Sequence, residues 1–151
     1  MGWLIPLLVL LPNVLMVRFP PTKKPEDASG VNRWLVALER LGQAGVFVIP
    51  CFYRIQIQSA IASVSLVVMA LALVGYYLGW LRYVLQGRRY ALLFAPMWGI
   101  PLPMAVMPVI YFGAAAALLR SWSLAAATVV FAIGHLVVSA HEQRWIVSLA
   151  H

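Results

Sequence analysis

The stretch AIASVSLVVMALALVGYYLGWL, residues 60–81, carries no charged side chain and is long enough to cross the hydrocarbon core of a bilayer as one helix. Four further apolar runs can be drawn around it: Gly2 to Val17, Leu35 to Tyr53, Pro101 to Leu119 and Leu124 to Ala140. Each is near spanning length. The first is the shortest, about 24 Å at the helical rise, so it sits with little tilt or begins among the headgroups. It lacks a basic leading segment, contains Pro6 and Pro12, and meets Arg18 without a small-residue cleavage site, so it reads as a retained helix. The sequence therefore predicts an all-α fold: a polytopic transmembrane helical bundle of about five spans, forming a single transmembrane domain over residues 1–151.

Composition agrees. Hydrophobic residues make up 64% of the chain, charged residues only 10%, and the mean hydropathy is +0.91, which excludes an ordinary soluble domain. A net charge of +7 would point to nucleic acid in a soluble protein. Here the cations lie between the apolar runs, where insertion into a membrane requires them, so no nucleic-acid partner is expected. Cys51 is the only cysteine, which excludes an intramolecular disulfide and argues against a thiolate metal site.

Charge in the connections gives an orientation, because alternate loops fall on the same side of the membrane. Arg18, Lys23, Lys24, Arg33, Arg82, Arg88, Arg89 and Arg144 fall on one side, eight in all, against Arg54 and Arg120 on the other. The expectation is N-out and C-in. The first connection, RFPPTKKPEDASGVNR, has three prolines and mixed charge, and should be extended and solvated before a second helix starts near Val31. Residues Tyr90 to Ile100 are apolar but are interrupted by Pro96 and followed by Pro101 and Pro103. They should form an interfacial segment anchored by Tyr90 and Trp98, or a re-entrant element, ahead of a helix that starts near Pro103 and is kinked near Pro108. Small residues at Gly75 and Gly79, at Gly113 to Ala117, and at Ala125 to Ala127 with Gly134 mark packing seams, within the chain first and between copies or membrane partners second.

With this topology, polar residues from several spans fall at one depth. Asn13, Glu39, Gln43, Tyr76, Tyr83, His135 and Ser139 all lie near the inner end of their helices, beside the proline-broken start of the fourth span. An acidic group at a helix centre costs about 3 kcal/mol, so Glu39 needs a partner or water. Each residue also has a structural explanation. Glu39 can pair with a nearby arginine, and His135 can bond Asn13, Glu39 or a backbone carbonyl. Asn13 can cap the helix broken by Pro12, and Tyr76, Tyr77, Trp80 and Tyr83 can be members of the interfacial aromatic belt. Arg40, Arg82, Arg88 and Arg89 suit contact with lipid phosphate.

No HExxH, CxxC or metal-ligand spacing occurs among His135, His141 and His151, no P-loop or dinucleotide fingerprint is present, and no motif names a cofactor. Asp27, the only aspartate, lies in the first loop, so no Ser-His-Asp triad can be drawn within the bilayer. Three readings remain. The leading one is a membrane-embedded carrier or sensor binding a small amphipathic or lipid-like ligand from the cytoplasmic leaflet. The second is an enzyme acting on a lipid or isoprenoid, with Glu39 and His135 as acid and base and the basic loops holding a phosphate headgroup. The third is a structural or assembly subunit of a larger membrane complex.

The segments LPNVLMVRFPP, LERLGQAGVFVIP, GWLRYVLQGRR, IPLPMAVMPVIYF and AIGHLVVS together resemble a family of small, uncharacterised multi-pass bacterial inner-membrane proteins. That resemblance implies a multi-pass helical fold in a prokaryotic inner membrane, and it implies no activity or cofactor. The length and five-pass layout are also similar to the TspO/MBR tryptophan-rich sensory proteins, which bind porphyrins and lipids, as an architectural analogy.

Overall fold

The structure, a computed structural model, describes residues 1–22 and 30–149. Lys23 and Lys24, most of the connection expected to be extended, and His151 lie outside the described residues. Among the described residues there are helices and turns and no strand. The helices are α1 (Leu4–Leu10), α2 (Val14–Arg18), α3 (Arg33–Val48), α4 (Ala60–Leu85), α5 (Pro103–Leu119) and α6 (Trp122–Ser148). Short 3-10 turns at Leu11–Asn13 and Ile49–Phe52 continue α1 into α2 and extend α3. Three of these segments, Arg33–Phe52, Ala60–Leu85 and Trp122–Ser148, are long and apolar enough to cross a membrane, and Leu4–Arg18 and Pro103–Leu119 are shorter apolar helices.

The distribution of residue types around α4 is that of a membrane protein. Its exposed stripe is Ile61, Val64, Val67, Leu71, Val74, Leu78, Leu81 and Leu85, whereas its buried face is Ala62, Ser65, Met69, Ala72, Gly75, Tyr76, Gly79, Trp80 and Tyr83. Branched aliphatics outside and small or hydrogen-bonding residues inside suit a lipid solvent, where close contact and polar pairing hold helices together.

Helix ends follow capping chemistry rather than hydropathy. Asn32 starts α3 by accepting from the Trp34 amide at 2.9 Å, and Ser59 starts α4 by accepting from Ala62 at 3.2 Å. Arg82 does not stop α4. The helix ends at Leu85, and just beyond it Gly87, with a φ of 84°, lets the Arg88 amide turn back to the Tyr83 carbonyl at 2.9 Å. In the same way α6 runs beyond Ala140 through Glu142, Gln143 and Arg144. α5 begins with Pro103 in its first turn, as the sequence predicts, and holds Pro108 within it. It ends on Arg120, whose left-handed φ of 49° closes the turn at a cost of about 1 kcal/mol that glycine would avoid.

α3 packs along α6, α4 along α5, and α5 joins the two pairs. Buried Phe112 on α5 is the hub, with ring centroids 5.9 Å from Phe47, 5.4 Å from Tyr111 and 6.1 Å from Phe131. The glycines Gly75 and Gly79 of α4 are covered by Met107 and Met104 of the same chain. Gly113, by contrast, faces open space.

Four tyrosine hydroxyls tie the α1–α2 arm to the bundle. Tyr111 donates to the Ile5 carbonyl at 3.0 Å, Tyr77 to Leu8 at 2.7 Å, Tyr76 to the Asn13 side chain at 2.7 Å, and Tyr83 to Phe19 at 3.0 Å. Pro12 has no N–H, so it leaves the Leu8 carbonyl without its helical donor, and Tyr77 supplies one. Tyr77→Phe is expected to cost about 1 kcal/mol and to speed amide exchange across residues 4–13. Adding Pro12→Ala should return much of the protection, because the new N–H can reach Leu8. Unchanged exchange in Tyr77→Phe would show that the hydroxyl carries nothing.

Candidate functional site

The site is built where α3 and α6 touch. A Cβ added to Gly134 of α6 would lie 2.5 Å from the backbone N and Cα of Glu39, so only glycine permits this approach. Gly42 of α3 is pressed in the same way against the Phe131 backbone. The close crossing brings the Glu39 carboxylate to the His135 imidazole, Oε1 to Nδ1, at 2.6 Å. The two side chains are 19% and 24% exposed. The ring stacks on Phe131, one turn earlier on α6, at 4.7 Å and 16°. With Nδ1 engaged, Nε2 is the nitrogen left to meet a ligand, as an acceptor on the neutral ring and a donor on the cation.

Beside this pair lies a cavity of about 320 Å³. Asn13, Tyr76, His135 and Ser139 provide its polar lining, and Met16, Trp80, Leu93, Phe94, Met104 and Ala105 complete the wall. Tyr76 donates to Asn13 Oδ1, and the Asn13 amide N–H groups have no hydrogen-bond partner among the described residues. Trp80 is buried between Tyr76 and Tyr83, edge to face with both at 6.3 and 5.6 Å. Its Nε1 is a buried donor with no partner among the described residues.

The segment between α4 and α5 roofs the cavity through Leu93 and Phe94. A 3-10 turn at Tyr90–Leu93 is followed by a tight turn in which Met97 and Ile100 exchange backbone hydrogen bonds at 3.0 and 3.1 Å, with Trp98 and Gly99 at φ of 53° and 78°. Arg82 donates to the Pro96 carbonyl at 2.9 Å, and Gln143 donates to Phe94 at 2.7 Å and Pro101 at 3.0 Å. Trp98 is exposed at the tip, whereas Tyr90 turns inward to Glu142 at 3.5 Å. Burial, and after it the Glu142 charge, pushes the Tyr90 phenol up to about 12 from its ordinary 10.0. The fold thus favours the neutral phenol. Its contribution is complete below pH 10 and disappears as pH rises through about 12. Melting curves across that range should show this loss in the wild type and a shallower one in Tyr90→Phe. Identical curves would remove Tyr90 from the roof's stability.

Of the residues marked by the sequence, Asn13, Tyr76, His135 and Ser139 share the cavity, and Glu39 stands behind His135. Glu39 pairs with His135 where an arginine was the simpler expectation. Gln43 is half-buried one turn along α3, away from the lining, and Tyr83 is fully buried with its hydroxyl committed to Phe19. Arg40 and Arg89 are exposed, Arg82 secures the roof, and the Arg88 carbonyl receives the Thr22 amide at 3.1 Å. Trp80 and Gln143 are the additions. Each carried a sequence signal, since Trp80 follows Tyr76 by one helical turn and Gln143 extends the His135–Ser139 stripe by another.

Ser139 is not presented as a nucleophile. The His135 ring lies toward Phe131, one turn back, while Ser139 is one turn ahead and makes no hydrogen bond with it. Among the described residues no three His, Cys, Asp or Glu side chains gather as a metal site. No family model, curated protein or solved structure matches the chain.

Proposed function

We propose that this chain is a membrane-embedded binding protein, a carrier or sensor for a small amphipathic or lipid-like ligand. The observation that carries the reading is the convergence of Asn13, Tyr76, His135 and Ser139 on one cavity that shares Trp80 with an apolar groove of about 600 Å³. The groove runs between the α1–α2 arm and α4, past Leu11, Leu15, Val74, Leu78 and Leu81. A polar head of the ligand sits in the cavity, and its hydrocarbon lies in the groove, level with the surrounding lipid. The α1–α2 arm, broken at Pro12, and the roof over residues 90–101 are the parts that move to admit it. In the same proposal the five helical segments span a bacterial inner membrane N-out and C-in, which puts the cavity at the cytoplasmic leaflet. The eight-to-two division of cations supports that orientation.

The test is extraction of protein purified in mild detergent, followed by mass spectrometry. Wild type should retain a lipid or other amphiphile near one per chain, and Asn13→Leu combined with His135→Phe should lose it. Nothing above the detergent blank in the wild type, or equal retention by the variant, would sink the proposal.

The Glu39–His135 contact favours one further reading, that of an enzyme. A carboxylate that fixes an imidazole leaves Nε2 as a general base, so Glu39 would orient the base in place of acting as a separate acid. That reading requires a bound lipid to change mass on incubation, and to do so only when His135 is present.

A further inference from the structure

A second polar cavity, of about 450 Å³, opens at the other end of the bundle between the α3–α4 connection and the turn from α5 to α6. Ala62 borders this cavity and Trp80 the first, about 27 Å apart along α4 at the helical rise. Arg54, Gln56, Gln58 and Ser59 line it from one connection and Arg120 from the other.

Two arginines therefore border one polar space, and a cavity edged by two like charges favours an anion. The chain has only four acidic residues to supply one. Glu39 is bonded to His135, and Glu142 lies beside Tyr90. Glu26 and Asp27 are outside the described residues. Among the described residues neither Arg54 nor Arg120 has an ion-pair partner. The backbone adds an independent point. Arg120 holds the left-handed position that closes α5, where glycine is unstrained, yet its side chain is exposed and gains little packing. What the position supplies is the charge.

We propose that Arg54 and Arg120 form an anion site that takes a phosphate group, with Gln56, Gln58 and Ser59 as neutral partners for its remaining oxygens. One guanidinium satisfies a carboxylate through both its oxygens, whereas two approaching from different connections suit the larger oxygen set of a phosphate. The group arrives on a phospholipid head or as the free ion.

Full-length protein in a maltoside detergent is titrated with phosphatidylglycerol in one arm and inorganic phosphate in the other, with chloride at equal ionic strength as the control. Wild type should gain roughly 5 °C in melting temperature near saturation in at least one arm. A shift with phosphatidylglycerol alone identifies a lipid head, and a shift with inorganic phosphate identifies a site for the free ion. Arg54→Ala and Arg120→Gly should each weaken the effect at least tenfold. Arg120→Gly relieves the left-handed strain, so its unliganded melting temperature should equal or exceed that of the wild type, and lost binding then reflects lost charge. The proposal is overturned if neither arm shifts the wild type, if chloride does as well, or if Arg120→Gly responds like the wild type.

Discussion

Gly134→Val is expected to lower the melting temperature by roughly 10 °C, equivalent to about 3 kcal/mol, and to abolish ligand retention with it. Even a methyl group at Gly134 would stand 2.5 Å from the Glu39 backbone, and backbone atoms have no rotamer by which to yield. α3 must therefore move away from α6, which separates Glu39 from His135 and loosens Phe131 from Gly42. The other glycines grade the effect. At Gly75 the nearest atoms are the Met107 side-chain end at 3.1 Å, which can swing aside, so Gly75→Ala should cost under about 1 kcal/mol. Gly113 has nothing within 4 Å, and Gly113→Ala should be neutral or slightly stabilising in mid-helix. Thermal melts of Gly75→Ala, Gly113→Ala and Gly134→Ala, with Gly134→Val as the extreme, test the order. Equal losses at Gly113 and Gly134 would mean that glycine matters here through helix propensity and not through helix contact.

The same contact marks the boundary of what the sequence reveals. Five apolar runs and a layer of polar groups are legible, because lipid makes each polar atom costly and so makes its position conspicuous. Four members of that layer do line one cavity. Which of them bond to one another is not legible, since pairing depends on the face that α3 turns toward α6. That face is set by Gly42, Gly45 and Gly134, whereas the conspicuous GYYLG motif of α4 is filled by the chain's own methionines. Trp80 illustrates a second limit. Hydropathy fades at Leu81, which makes Tyr76, Trp80 and Tyr83 look like an interfacial belt. Arginine is a good helix former, however, so α4 continues to Leu85 and these rings sit a turn deeper, inside the bundle. The roof is irregular for a related reason. Prolines announce the break, but the carbonyls they expose find Arg82 and Gln143 only in three dimensions.

Separating structure from function at the Glu39–His135 pair calls for a double-mutant cycle. Glu39→Leu leaves the imidazole half-buried with Nδ1 unpaired, at an expected cost of about 2 kcal/mol. His135→Leu leaves a carboxylate facing apolar surroundings, and about 3 kcal/mol is expected, toward the lower end for a broken buried pair because both groups keep some exposure. Each single variant loses the bond and also strands a polar group. The double variant strands nothing, so it should fall short of the sum by about 2 kcal/mol and be no worse than His135→Leu alone. Thermal unfolding of the four proteins measures that coupling. Ligand retention should follow a different pattern, because recovering stability does not restore Nε2 to the cavity, and the double variant should bind no better than either single one. Additive losses would show that the two side chains do not act together. A stable double variant that still holds its ligand would make the pair a structural device and would leave Asn13, Tyr76 and Trp80 to carry recognition.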